Sequence, residues 1–273
     1  MWWEEGQLGS VRPSLPTNEF IAAMTVRTWA RSLLVAALGV GCAVARPLDE
    51  PGASGGVGAS GTCGSLDCPR YDVIAGNDGY EIRKYEAGVS WAVARMEGMD
   101  GFEAATTAGF KELFLYISGV NWGARRMAMT APVRTRVLSS TTQGLRGESE
   151  SAEGSGAVFE VGFMAPYVEQ AREGGPPAPF VWAEPHARLS ADEPAWCVGV
   201  RFFGGWATDD VVVREAAILA DDLRADDLSV DDADTFTVLQ YNSPYETTDR
   251  TNEVAFVLPN DACVPKDGKP STH

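Results

Sequence analysis

Apolar and polar side chains alternate in short runs from Tyr71 onward, which is the pattern of β-strands that bury one face. Tyr80 and Ile82, for example, lie on the face opposite Glu81 and Arg83. Polar or Gly-rich stretches separate these runs, and the longest, residues 139–157, predicts an exposed loop. The predicted strands lie near residues 71–74, 80–83, 89–93, 127–137, 159–163, 196–202 and 236–241.

Two other stretches space their apolar residues three or four apart, as one face of an α-helix requires. The first runs from Phe102 to Ser118, and Gly119 is a plausible stop. Its apolar stripe consists of Phe110, Leu113, Phe114 and Ile117. The second runs from about Thr208 to Leu223.

The order of these elements repeats. Val93-Ala94-Arg95 matches Gly199-Val200-Arg201 at an offset of 106, and Thr130-Ala131-Pro132 matches Asn242-Ser243-Pro244 at 112. This predicts a duplicated strand, helix and strands unit. Because each unit alone leaves strand edges and an apolar face uncovered, we expect the two sheets to pair into one closed or nearly closed surface.

The first 69 residues have a different composition. Residues 1–23 form a possible upstream extension, since Met24 is a second possible start. Residues 24–45 contain Arg27, Arg31 and a 12-residue apolar run that ends in Ala43-Val44-Ala45, the pattern of a cleaved signal peptide. We expect residues 46–69 to be a flexible Gly-rich lead, residues 70–259 the folded domain and residues 260–273 a tail.

Charge and cysteine content narrow the partners and the compartment. With 22 Lys and Arg against 38 Asp and Glu, the net charge of -16 makes nucleic acid an unlikely partner. The apolar run is too short to cross a bilayer, so we expect no stable membrane insertion. Cleavage near Arg46 would leave four cysteines, an even number suited to disulfides in the secretory pathway, with three pairings open: Cys63, Cys68, Cys197 and Cys263.

The sequence does not contain the residues that most catalytic and metal sites require. The only two histidines are His186, in a Pro-rich stretch, and His273 at the C-terminus. The chain has no nucleophile elbow, P-loop or EF-hand loop, and the Asp-rich segment 221–234 lacks the glycine turn and closing Glu of a calcium loop. We therefore expect no enzymatic activity and no metal site.

The remaining candidate site is an apolar surface. Phe110 and Phe114 on the first helix, with Met127 and Met129 on the next predicted strand, are ordinary core residues if taken singly. Together they form a surface that suits a flat apolar ligand such as a macrocycle. Its carboxylates would need cations, and the candidates are Lys111, Arg125, Arg126 and Arg134.

Four stretches read together resemble the SOUL, or haem-binding protein, family, from about Pro69 to Pro259, and the secretory start resembles its plant and algal branch. They are Tyr71–Ile74 with Gly79–Arg83, Met127–Val133, Arg201–Ala207, and Tyr241–Pro244 leading to Arg250–Val254. The resemblance implies an α+β fold: a distorted eight-stranded antiparallel β-barrel, built from a duplicated unit and flanked by two helices. It also implies non-covalent binding of haem or free porphyrin in a groove lined by the first helix, where apolar pocket positions fall on Phe110 and Phe114.

This sequence departs from the family at other ligand positions. Basic residues that lie beside the porphyrin carboxylates in some members fall here on Thr107, Leu115 and Glu246. No histidine matches the proposed axial ligand, so haem would be held by burial without His ligation. Two hypotheses follow, a secreted or lumenal tetrapyrrole carrier and a scaffold that keeps the fold without physiological haem binding. The leader also fits a plastid protein that is imported through the secretory pathway.

Overall fold

The computed structural model describes residues 62–139, 157–180, 187–230 and 235–264, where strands and helices alternate. The strands are β1 (Tyr71–Gly76), β2 (Glu81–Tyr85), β3 (Val89–Glu97), β4 (Val133–Ser139), β5 (Val158–Met164), β6 (Ala187–Glu193), β7 (Trp196–Gly204), β8 (Phe236–Gln240) and β9 (Thr251–Leu258). The helices are α1 (Phe102–Ile117), α2 (Tyr167–Gln170) and α3 (Asp209–Ala225), and a 3₁₀ turn spans Asn260–Cys263. Both long helices therefore lie where the sequence predicts them, whereas β6, β9 and α2 were not predicted.

The nine strands form one antiparallel sheet in the order β1-β2-β7-β9-β8-β4-β5-β3-β6. This confirms the α+β class, but the prediction of eight strands is wrong because β1 pairs with the outer edge of β2. Among the described residues β1 and β6 remain the two edges of the sheet, so the predicted closed barrel is not confirmed.

Without β1, the strand order is symmetric about the β8–β4 pair, as a duplication requires. Glu81 pairs with Val200 between β2 and β7, and Val93 pairs with Arg188 between β3 and β6. Arg188 lies 107 positions after Glu81, and Val200 lies 107 positions after Val93. The two pairs are therefore equivalent in register, at an offset within the predicted range.

The helices cover one face of this sheet at close range. α1 packs on β3 and β5, and α3 packs on β7 and β9. Gly109 permits the approach of α1, because a Cβ atom there would lie 2.5 Å from Cγ2 of Val161. At the equivalent contact a Cβ atom on Gly199 would lie 2.7 Å from Cδ2 of Leu223.

Part of the opposite face is also buried, which simple alternation did not predict, although Phe202 on that face is 45% exposed. Arg83 of β2, expected on a polar face, has 0% of its surface exposed. Its guanidinium forms ion pairs with Glu81 at 2.7 Å and with Glu253 at 3.0 Å, and it lies 4.3 Å from the ring centroid of Tyr71. Burial raises the pKa of the Glu253 carboxyl, and the nearby Arg83 opposes that shift.

Two disulfides select one of the three pairings that the sequence left open. Cys63 is bonded to Cys68, and Cys197 of β7 is bonded to Cys263 in the 3₁₀ turn. The Cys63–Cys68 loop also contacts the chain before β4, because the Ala131 N–H donates to the carbonyl of Asp67 at 3.0 Å.

Several expectations concern segments beyond the described ranges. The possible extension, the signal peptide, the loop at 140–156 and most of the lead and tail lie outside them, as do both histidines. Within the described ranges, no helix has the length and apolar content needed to cross a bilayer.

Candidate ligand-binding face on the first helix

The α1 helix has a buried face, an exposed ridge and a half-buried flank between them. Ala105, Gly109 and Leu113 are buried against the sheet. One residue per turn forms the exposed ridge: Glu103, Thr107, Lys111 and Leu115. Phe110 and Phe114, four residues apart, occupy the flank, where a bound ligand can reach them.

The two phenylalanine rings form a continuous apolar surface. Their centroids lie 6.0 Å apart and their planes differ by 11°. Phe110 also packs edge-on against Phe163 of β5, with centroids 5.2 Å apart. The core therefore fixes Phe110, and Phe114 extends this apolar surface along the helix.

Met127 and Met129 pack against the same core cluster as the two phenylalanines, although not in a strand as predicted. The Met127 N–H donates to the carbonyl of Ile117 at 2.8 Å, which places Met127 at the end of α1. Thr130 binds the carbonyl of Met164 through its hydroxyl, and the Ala131 N–H binds Asp67. Because the helix end and the lead take these hydrogen bonds, strand pairing begins only at Val133. Both methionines are half-buried against the core.

Only two of the four candidate cations remain at this face. Lys111 is exposed on the ridge, and Arg126 is exposed beside the helix end, its Cγ 3.5 Å from where Gly119 would carry a Cβ. Neither has an ion-pair partner within the described ranges. Arg125 instead pairs with the buried Glu169 at 3.2 Å. Sequence alone did not predict this pairing, because Glu169 lies in the unpredicted helix α2.

Arg134, a fourth candidate, is wrong as a ligand contact. Only 2% of its surface is exposed, and its guanidinium carbon lies 3.9 Å from the Trp91 ring centroid. It binds both carboxylate oxygens of Glu193, at 2.7 and 2.9 Å. These hydrogen bonds and the neighbouring cation lower the pKa of Glu193 against the opposing effect of its burial.

The three positions at which other family members carry basic residues are exposed in this protein. Thr107 and Leu115 lie on the ridge of α1, and Glu246 lies in the loop after β8. The Glu246 carboxylate accepts a hydrogen bond from the Asn242 amide at 2.8 Å. These three positions offer no cation to a ligand carboxylate.

The second repeat provides an internal comparison. With the offset of 107, four buried positions of α1 correspond to four buried positions of α3: Ala105 to Val212, Gly109 to Ala216, Leu113 to Ala220, and Tyr116 to Leu223. Phe110 and Phe114, however, correspond to Ala217 and Asp221, which are exposed. The fold therefore packs a helix in this position without aromatic residues on that flank.

The described residues also limit how iron could be ligated. They contain no histidine, and their four cysteines are all in disulfides. The thioethers of Met127 and Met129 are the soft side-chain donors near the aromatic flank. This donor set suits an apolar tetrapyrrole held by burial.

A separate cleft of about 380 Å³ lies between the β1–β2 turn and the end of α3. Asp78, Asp222 and Asp226 line it, and the Tyr80 hydroxyl donates to Asp226 at 2.5 Å. Burial, strengthened by this hydrogen bond, raises the pKa of Tyr80 to about 12. Because its lining is acidic, the cleft does not suit a dicarboxylate porphyrin.

The chain is similar to known proteins over most of its length. A family model described as SOUL heme-binding protein matches residues 66–257. Heme-binding protein 2 of Homo sapiens is 30% identical over 186 residues, covering 67% of this chain and 79% of that protein. Heme-binding protein 2 of Mus musculus is 26% identical over 220 residues, covering 79% of this chain and 98% of that protein.

A solved structure of a hydrolase from Listeria innocua has a TM-score of 0.40 and 8% identity, covering 65% of this chain and 91% of that chain.

Proposed function

The chain belongs to the SOUL heme-binding protein family, and from this premise we propose that it binds haem or a free porphyrin non-covalently. Its role is to carry or buffer the tetrapyrrole, without catalysis. The observation that carries the proposal is the aromatic flank of α1, which the equivalent helix α3 lacks.

Burial of apolar surface supplies most of the affinity. A tetrapyrrole lying on Phe110 and Phe114 removes parts of both rings from water, and each fully buried aromatic contributes about 1.5–3 kcal/mol. Met127 and Met129 provide polarizable contacts along the same flank. A ligand bound in this way needs no covalent link.

Lys111 and Arg126 are the partners of the ligand carboxylates. Both are exposed at the edges of the aromatic flank, whereas Arg125 is held by Glu169. They offset the repulsion between a dicarboxylate and a protein of net charge -16. Haem would be held through its apolar ring without histidine ligation, so iron-free porphyrin should bind about as well as hemin.

Titration with hemin and with protoporphyrin, followed by Soret absorbance, tests the proposal. Phe114→Asp places a charge in the aromatic flank and should weaken both ligands at least tenfold, about 1.4 kcal/mol or more. Ala217→Asp is the matched control, because it introduces the same charge at an exposed position of α3. His186→Ala should leave the Soret spectrum unchanged.

A different pattern would overturn this site. If Phe114→Asp binds as the wild type does and His186→Ala abolishes the Soret shift, the ligand lies elsewhere. If Phe110→Ala, Phe114→Asp and the wild type all fail to shift the Soret band, the tetrapyrrole proposal is wrong.

The second candidate function is a scaffold that keeps the fold without physiological haem binding. The exposed, uncharged or acidic residues at Thr107, Leu115 and Glu246 favour it, because they remove three possible contacts with ligand carboxylates. Affinity decides between the two candidates. Binding too weak to compete with lipid vesicles for hemin supports the scaffold.

The proposed compartment is the secretory pathway or the extracellular space, with a plastid reached through that pathway as the alternative. The leader at 24–45 motivates this proposal. The two disulfides support it, since such bonds persist in oxidising compartments.

A further inference from the structure

Three apolar side chains lie exposed where α1 ends. Leu115 is 49% exposed, Val120 is 46% exposed and Trp122 is 66% exposed. We call these three residues the tryptophan ridge. The Trp122 ring is supported from one side by Phe180, whose ring centroid lies 5.0 Å away.

The backbone holds the tryptophan ridge in this exposed arrangement. Gly119 has a φ of 110° and ends the helix, and the Val120 N–H donates to the carbonyl of Leu115 at 3.0 Å. This closure normally brings the two apolar side chains together. Asn121 between Val120 and Trp122 is fully buried, so its neighbours point outward.

Hydrogen bonds fix the loop that carries Trp122. The Asn121 amide donates to the carbonyls of Tyr116 at 2.8 Å and of Arg125 at 2.7 Å. The backbone N–H of Trp122 donates to the carbonyl of Ala178 at 2.9 Å. A tryptophan exposed on such a tied loop indicates an interaction surface.

Two cations border the tryptophan ridge in a protein that is acidic as a whole. Lys111 lies one helical turn before Leu115, and Arg126 lies beside Gly119. Both are exposed and lack an ion-pair partner in the described part of the chain. The nearby carboxylate of Glu169 is buried and pairs with Arg125 and Arg172. Two exposed cations therefore lie at the edge of the ridge, beside the half-buried Glu112 of α1, whereas the chain as a whole carries -16.

We infer that the tryptophan ridge is a docking site for an anionic lipid surface. The ridge consists of only three partly exposed apolar residues, a smaller surface than the ~800 Å² per partner that a stable protein interface buries. An exposed tryptophan flanked by Lys and Arg is suited to the headgroup layer of a bilayer. The basic edge is complementary to anionic lipid, which the rest of the protein repels.

This contact is peripheral and does not require a bound tetrapyrrole. Leu115 follows Phe114 on α1, so docking brings the aromatic flank close to the bilayer. Tetrapyrroles are apolar enough to partition into bilayers. The lipid surface would therefore be the place where ligand is gained or released.

Vesicle flotation of the ligand-free, secreted protein tests the inference. The protein should float with phosphatidylcholine vesicles that contain phosphatidylglycerol, and less with phosphatidylcholine alone. Trp122→Ala should weaken binding about tenfold, and Val120→Ser should weaken it without removing the ring contact with Phe180. Tyr245→Ala is the control, because this tyrosine is 84% exposed in the loop after β8.

The charge dependence is tested separately. Arg126→Glu should reduce binding to the anionic vesicles, whereas Lys84→Glu makes the same charge change at an exposed position of β2 and should not. Urea unfolding of each variant verifies that it is folded.

Three results of the vesicle experiments would overturn the inference. They are absence of flotation with anionic vesicles, equal flotation of Trp122→Ala and Tyr245→Ala, and equal binding of Arg126→Glu and Lys84→Glu. Self-association that depends on Trp122 without vesicle binding would identify the ridge as a contact between copies of this chain and would also overturn it. Tetrapyrrole binding is measured without vesicles, so either proposal can fail alone.

Discussion

Asp209, at the start of α3, caps the start of α1. Its Oδ1 atom accepts hydrogen bonds from the backbone N–H of Phe102 at 2.5 Å and of Glu103 at 3.2 Å. The Asp209 N–H in turn donates to the Glu103 carboxylate at 3.4 Å. Phe102 and Asp209 lie 107 positions apart, so the two helices meet at equivalent first residues and cap one another. Gly101 before α1 offers no side-chain cap of its own.

Asp209→Ala should lower the free energy of unfolding by about 1–2 kcal/mol, because two N–H groups of α1 lose their acceptor and the helix dipole loses a carboxylate. Asp209→Asn should retain most of the stability. Urea unfolding measures both, with the exposed Asp72→Ala as the control. Equal stability of Asp209→Ala and Asp72→Ala would show that the cap contributes nothing.

Gly109→Ala should destabilise the protein by about 1–3 kcal/mol although alanine favours helices, because its Cβ would overlap Val161. That Cβ would lie 2.5 Å from Cγ2 of Val161 and 2.6 Å from its Cβ. In the double variant with Val161→Gly, which removes both atoms, the Gly109→Ala change should lower the free energy of unfolding less than in the wild type. Thermal unfolding of the wild type, the two single variants and the double variant gives the coupling free energy between the two positions. Strictly additive effects on stability would contradict the contact between residues 109 and 161.

Tyr80 should make the fold sensitive to alkali. Burial and the hydrogen bond to Asp226 raise its pKa to about 12 from an ordinary value of 10.0. The unfolded chain therefore loses this proton first, and stability present below pH 10.0 falls as the pH rises to about 12. Tyr80→Phe should flatten this part of the stability curve.

Phenolate absorbance during a pH titration measures that pKa directly, as the difference between the wild type and Tyr80→Phe. Asp226→Asn should move the Tyr80 transition to lower pH, since it removes a neighbouring negative charge. A transition that Asp226→Asn leaves in place would contradict the assigned cause.

The two disulfides should differ in their response to reduction. Cys197 is 2% exposed and Cys263 is 5% exposed, whereas the other bond joins Cys63, which is 7% exposed, to the half-buried Cys68 in a loop of turns. Thiol counting on secreted protein should find none before reduction, then two from Cys63 and Cys68 under a mild dithiol, and four only after unfolding. Four reactive thiols without reduction would contradict both bonds.

Removing the two disulfides should also lower the free energy of unfolding by unequal amounts. The Cys197–Cys263 bond spans 66 positions, so Cys197→Ala with Cys263→Ala should cost about 4 kcal/mol. The Cys63–Cys68 bond spans 5 positions, so Cys63→Ser with Cys68→Ser should cost about 2 kcal/mol. Denaturant midpoints of the two double variants give the order, and the reverse order would contradict the loop-length argument.

The leader should be removed when the chain from Met24 is made by a secreting host. N-terminal sequencing of the product should then begin near Arg46, because the apolar run ends in small residues there. Retention of residues 24–45 in the secreted product would contradict the signal peptide.

Local spacing alone determined much of the fold. The apolar period of α1 placed Phe110 beside Phe114 on one helical face, because residues four apart are neighbours on any helix. Alternation placed Phe159 and Val161 on one face of β5 in the same way. The repeated order of elements also gave an offset close to the observed 107.

Tertiary structure decided which contacts form between elements that lie far apart in the sequence. Arg125 and Arg126 are neighbours in sequence, yet Arg125 pairs with Glu169, 44 positions later, and Arg126 stays exposed. Arg134 alternates like a surface residue but is buried, with its guanidinium against Trp91 and paired with Glu193. Such pairings depend on which distant segments meet, and hydrophobic periodicity contains only the local part of that information.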